Sequence, residues 1–151
     1  MLALVGFVGL CLLVGAVSGT IIADTAWAWF LSLSRPPGTP PVWVFAPVWS
    51  VLYGLIGVAG WLAWRRSVSV RPMRLWGWQL AANAFWAPAF FAFHSLSLAM
   101  AVNLVLLALI VFTMQAFAQV RSLASWLMAP YLAWAGYATY LTAGFWWLNP
   151  S

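Results

Sequence analysis

Five long stretches of this sequence, residues 2–22, 42–64, 73–93, 96–118 and 123–147, are apolar almost without interruption. Each exceeds the ~20 residues a helix needs to cross a hydrocarbon core. Lipid offers no partner to backbone N–H and C=O groups, so runs of this kind are viable in a bilayer only as helices or as a closed barrel. A barrel strand alternates lipid-facing and lumen-facing residues, and these runs do not alternate. The expectation is an all-α, polytopic membrane protein: one domain over residues 1–151, a bundle of five transmembrane helices with a long Pro-rich loop at 23–41.

Charge supports the same class. Soluble domains spend about a quarter of their residues on Asp, Glu, Lys and Arg; here the share is 5%, made of six Arg and the single Asp24. With 66% hydrophobic residues the chain is no disordered segment either. The net charge of +5 is not a nucleic-acid footprint, because the Arg residues sit in short gaps between apolar runs. Arg65, Arg66, Arg71, Arg74 and Arg121 fall on the side of the N-terminus, and Arg35 alone on the other. In a bacterial inner membrane the positive-inside rule then places the N-terminus in the cytoplasm. The first run lacks a basic leader and is long enough to span, so it reads as a retained anchor rather than a signal peptide.

Thirteen Trp are present. Trp27, Trp29, Trp61, Trp64, Trp76, Trp78, Trp126, Trp146 and Trp147 lie near run ends, where amphipathic rings gather at headgroup level. Trp49, Trp86 and Trp134 lie deeper, about 10, 12 and 20 Å in from the Arg-poor side at ~1.5 Å per residue. Three deep indoles from three helices can line one cavity. Asn83 stands one turn before Trp86, and Gln79 one turn earlier on the same face. Amides at such positions either join helices by hydrogen bonds or face a polar pocket. Pro88 removes a donor from the third run and predicts a kink there.

Conventional chemistry has little to work with. Glu and Lys are absent, and Asp24 and His94 sit near run ends, so no proton relay is built into the bundle. Cys11, His94 and Asp24 show no metal-ligand spacing, and no nucleophile–base pair is recognisable. We expect no catalytic residue, no metal and no required cofactor.

The connection between the first two runs reads Trp29-Phe30-x-x-Leu33-x-Arg35-Pro36-Pro37-x-x-Pro40-Pro41-x-Trp43-x-Phe45-x-Pro47-x-Trp49. Four prolines fix φ and remove donors, which makes a stiff strap. A stiff aromatic strap beside an aromatic cavity is a lid.

These residues resemble the TspO/MBR family, the tryptophan-rich sensory proteins related to the mitochondrial translocator protein. The likeness rests on the strap, on Gln79-Leu80-Ala81-Ala82-Asn83-Ala84-Phe85-Trp86-Ala87-Pro88 in the third run, and on Pro130-Tyr131-Leu132-Ala133-Trp134-Ala135-Gly136-Tyr137-Ala138-Thr139-Tyr140-Leu141 in the fifth. The resemblance implies a five-helix bundle, often a homodimer, that binds protoporphyrin or haem and also sterols or benzodiazepine-type and isoquinoline drugs. It carries pocket roles to Trp49, Asn83, Trp86, Trp134 and Ala138, and puts Pro40 beside the pocket. Phe30 stands near the mouth where many members have Tyr, Arg35 replaces a Lys, and Thr142 stands where many have Asn. The sterol pattern of Leu/Val, Tyr and then Lys/Arg is absent, since no basic residue follows Arg121; high-affinity cholesterol recognition is not expected.

The leading expectation is a receptor or carrier for porphyrin-like ligands. Trp49 and Trp134 would stack on the ring, Asn83 would meet a polar substituent, Arg35 would approach a propionate, and Ala138 would keep one wall low. Light- or oxygen-dependent porphyrin breakdown is the enzymatic alternative. A ligand-independent assembly partner is the third, with Gly77 and Ala81 giving a close-approach face for a homodimer.

Overall fold

The structure is a computed structural model that describes the backbone of residues 1–25 and 27–150 and the side chains of residues 1–20 and 29–150. It is all-helical among the described residues. Helix α1 runs Leu2–Thr25 and α2 Trp27–Ser32; a 3₁₀ turn at Val42–Val44 leads into α3, Phe45–Trp64. Helix α4, Arg71–Ala87, passes into a π-helical turn at Pro88–Ala92; α5 is Leu96–Val120, α6 Ser122–Trp126 and α7 Ala129–Leu148.

Among the described residues, three segments are long and apolar enough to cross a membrane by length and hydropathy: Leu2–Thr20, Val42–Trp64 and Leu96–Val120. The other two expected spans form helices but fall outside that criterion. Helix α4 has 17 residues and carries Arg71, Arg74, Gln79 and Asn83, and α7 is rich in Trp and Tyr, whose rings prefer the interface to the hydrocarbon core.

Two boundaries differ from expectation. The loop at 23–41 is shorter than the sequence suggested, because α1 continues to Thr25 and α2 fills Trp27–Ser32. Residues 27–32 contain neither Pro nor Gly, so nothing ends the helical run until the prolines of the strap. The stretch 123–147 is two helices, not one: α6 stops at Trp126, and α7 restarts with Pro130 in its first turn, where the missing N–H has no bond to lose.

Pro88 acts as expected, and the structure shows how. Without an N–H it cannot bond the carbonyl one turn back, and the ladder widens: Phe93 N donates to Pro88 O at 2.9 Å, the i→i+5 register of a π turn. His94, with φ 51°, then reverses the chain, and Ser95 caps α5 by accepting from Leu98 N at 3.3 Å.

Packing depends on small residues where helices cross. A Cβ at Gly57 of α3 would lie 2.6 Å from Val8 Cα, so α1 and α3 touch backbone to backbone. Gly15 faces the ring of Tyr53, and Gly60 that of Trp76. Trp76 is thus not the interfacial residue that its position suggested: it is buried, and Nε1 donates to Ile56 O at 3.1 Å, tying α4 to α3.

The core falls into two clusters. One gathers Cys11, Tyr53, Ile56, Trp76, Ile110, Phe117 and Tyr131; the other gathers Phe30, Phe90, Phe91, Leu96, Leu141 and Phe145. Trp49 and Trp134 edge the first cluster and Trp86 edges the second.

Candidate functional site

The three deep indoles meet. Trp49 from α3, Trp86 from α4 and Trp134 from α7 line one cavity of about 580 Å³, together with Asn83 and Ala138. Small residues of α1, including Gly15, Ala16 and Gly19, form another wall. Trp49 lies 5.2 Å from Tyr53, ring centroid to centroid, and Trp134 meets Phe45 edge-on at 5.9 Å. Ala138 presents only a methyl group and leaves width beside the indoles.

A polar chain crosses this aromatic enclosure. Tyr53 Oη donates to Asn83 Oδ1 at 2.6 Å, and Asn83 Nδ2 donates to Tyr131 Oη at 2.8 Å, all three side chains being buried. One amide therefore joins α3, α4 and α7. Asn83 faces the cavity, but its first partners are protein hydroxyls, which is the helix-joining role weighed above. A second such link pairs Asn103 Nδ2 with Thr142 Oγ1 at 3.1 Å, so Thr142 makes a polar contact between α5 and α7.

Two buried groups lack partners. The amide N and O of Gln79, fully buried on α4, and Nε1 of Trp86 make no hydrogen bond among the described residues. Gln79 is on neither cavity's wall. Trp86 stands between the main cavity and a smaller chamber of about 130 Å³, which both adjoin it. Its ring rests on Phe90 at 5.3 Å and Phe91 at 6.0 Å.

Residues 33–41 form the strap, and α7 holds it. Asn149 Oδ1 accepts from Ser34 N at 2.8 Å while Asn149 Nδ2 donates to Ser34 O at 3.0 Å. Tyr140 Oη donates to Pro37 O at 3.0 Å, and Tyr137 Oη to Gly38 O. Gly38 has φ 84°, a region open to glycine, and Pro36 fills the space above Gly144, where a Cβ would come within 2.5 Å of it. The strap is thus fastened along its length.

The remaining expected residues divide. Phe30 is buried and lines the smaller chamber rather than the mouth of the main cavity. Arg35 is exposed, with its guanidinium 5.4 Å from the Phe30 ring centroid and outside both chambers. Pro40 lines neither chamber, although Thr39 and Val42 on either side do line the smaller one. Gly77 and Ala81 lie exposed on α4, and a Cβ at Gly77 would meet open space. Asp24 and Trp27 fall outside the described side chains.

Sequence reasoning passed over Tyr53 and Tyr131, the partners of Asn83. Their signal was available: Tyr53 is four residues after Trp49, and Tyr131 three before Trp134, so each shares a helix face with a deep indole. Phe90 carried the same marker, four residues after Trp86, whereas Phe91 and Phe145 lie neither three nor four residues from a deep indole.

Comparison with known proteins finds relatives over nearly the whole chain. The TspO/MBR family model matches residues 7–148. The tryptophan-rich protein TspO of Chlorobaculum tepidum is 39% identical, covering 95% of this chain and 93% of its own length. The translocator protein of Bos taurus is 33% identical over 94% of this chain and 87% of its own. The tryptophan-rich sensory protein of Cereibacter sphaeroides is 36% identical over 82% and 77%.

Proposed function

Because the chain belongs to the TspO/MBR family, we propose that it is an integral membrane receptor or carrier whose indole-lined cavity binds flat, mainly apolar ligands of the tetrapyrrole class, protoporphyrin or haem. The observation that carries this reading is the convergence of Trp49, Trp86 and Trp134 around one space of about 580 Å³. That volume is in the ~300–1,000 Å³ range of small-molecule sites.

A planar macrocycle gains affinity there by stacking on indole faces and by withdrawing apolar surface from water, at ~25 cal/mol per Å². Trp86 Nε1 is the buried donor on the wall with no acceptor among the described residues, so a ligand acceptor atom reaching it relieves an unmet hydrogen bond. Asn83, already bonded to two tyrosines, orients those hydroxyls and has its remaining N–H to offer. Arg35 serves a ligand carboxylate only by leaving the Phe30 face.

In this reading all five long helical segments cross the bilayer, with the short α6 preceding the last crossing. In a bacterial inner membrane the exposed Arg65, Arg66, Arg71 and Arg74 face the cytoplasm with the N-terminus. The exposed Gly77–Ala81 face accepts a second copy of the chain.

Titration of purified protein with protoporphyrin IX, followed by porphyrin absorbance, tests the assignment. Trp49→Ala and Trp134→Ala are expected to weaken binding about tenfold or more each. Affinity unchanged in both variants overturns it.

A further inference from the structure

The smaller chamber has a chemistry of its own. Phe30, Phe90, Phe91, Leu141 and Phe145 line it, and Thr39 and Thr142 bring the two hydroxyls on its wall. Its two hydroxyls are both turned onto backbone: Thr39 Oγ1 donates to Pro36 O at 2.7 Å and Thr142 Oγ1 to Ala138 O at 2.8 Å. A buried water needs two to four polar partners, and an apolar cavity of about 150 Å³ stays dry and takes up benzene or xenon. At about 130 Å³ this chamber is of that kind. Left empty, it deprives its lining rings of dispersion contacts.

The chamber also joins the main cavity. Trp49, Trp86 and Ala138 border both, and at Ala138 the partition is only a methyl group high. A ligand whose planar body lies among the indoles can therefore extend one side arm past Ala138.

We propose that this phenylalanine-walled annex is a distinct subsite that binds a compact apolar substituent, up to a benzene ring or short branched alkyl group in size, and rejects polar ones. The assignment of a ligand arm rests on the reading of the main cavity as a ligand site; the apolar character of the annex does not, and the two are tested separately.

Crystals of the full chain pressurised with xenon test the annex directly. Anomalous density is expected in the annex beside Leu141 and Phe91, lost in Leu141→Phe, which fills the space, and kept or increased in Phe91→Leu, which enlarges it. Ordered water there, or no xenon in either the unaltered chain or Phe91→Leu, overturns the proposal. The arm is tested with protoporphyrin against deuteroporphyrin, in which hydrogens replace the vinyl groups. Leu141→Phe is expected to weaken protoporphyrin about tenfold and deuteroporphyrin less than twofold. Equal effects on the two porphyrins, or none on either, overturn the side-arm role. Failure of the main-cavity reading would instead show in Trp49→Ala and Trp134→Ala, with xenon still in the annex.

Discussion

Asn149 holds Ser34 by both backbone groups, accepting from its N–H at 2.8 Å and donating to its carbonyl at 3.0 Å. Side-chain amides that pair with a peptide in this two-point manner fix orientation as well as distance. The strap is thereby registered against α7 before Tyr137 and Tyr140 add their bonds. Asn149→Ala should speed hydrogen exchange at the Ser34 amide at least about tenfold, equivalent to ~1.4 kcal/mol of local protection, which is near the value of one or two such bonds. Mass-spectrometric exchange across residues 33–41 reads this directly. Exchange identical to that of the unaltered chain would show that the clasp contributes nothing.

Asn83 bridges two tyrosines inside the bundle, so removing it takes a hydrogen-bond partner from each hydroxyl, Tyr53 keeping Ser18 beside it. Asn83→Ala should lower stability by about 1–3 kcal/mol. Tyr53→Phe or Tyr131→Phe alone should cost less, because Asn83 keeps one partner. Thermal unfolding in bicelles orders the three variants, and a Tyr53→Phe loss larger than that of Asn83→Ala would contradict the bridge.

Gln79 presents the opposite case. Its amide is buried with no partner among the described residues, so it bears a desolvation cost with no compensating bond. Gln79→Leu, similar in size and apolar, should raise stability by about 1–3 kcal/mol. A lower melting temperature would show that a bound water or another group satisfies the amide.

Two α4 and α3 glycines should respond differently. Gly57→Val drives a side chain into the α1 backbone at Val8 and should cost about 3 kcal/mol or more. Gly77→Cys meets open space, should leave the fold intact, and should crosslink between two copies in native membranes. Crosslinking absent at both Gly77→Cys and Ala81→Cys would remove this face as a dimer contact.

The convergence of Trp49, Trp86 and Trp134 was legible because depth along a helix follows from residue count and rise. Azimuth is harder to read. Trp76 near a run end gave depth only, and its burial depends on Gly60, a residue on another helix. Likewise the prolines announced a stiff strap, but its anchors Tyr137, Tyr140 and Asn149 lie 99, 103 and 115 residues from their partners. No local pattern encodes such pairings. Phe30 went to the annex rather than the mouth for a related reason: α2 extends through Ser32 and carries it inward among Phe90, Phe91 and Phe145.

The fastening of residues 34–38 to α7 also orders the events of biogenesis. Contacts of this sequence separation form only after the groups that receive the strap have been synthesised, 99 to 115 residues later. Until α7 is in place, Trp49 and Trp86 lack the third indole, Trp134, and the strap lacks its fastenings. A chain arrested before that point has an unfinished cavity wall and an untethered connection.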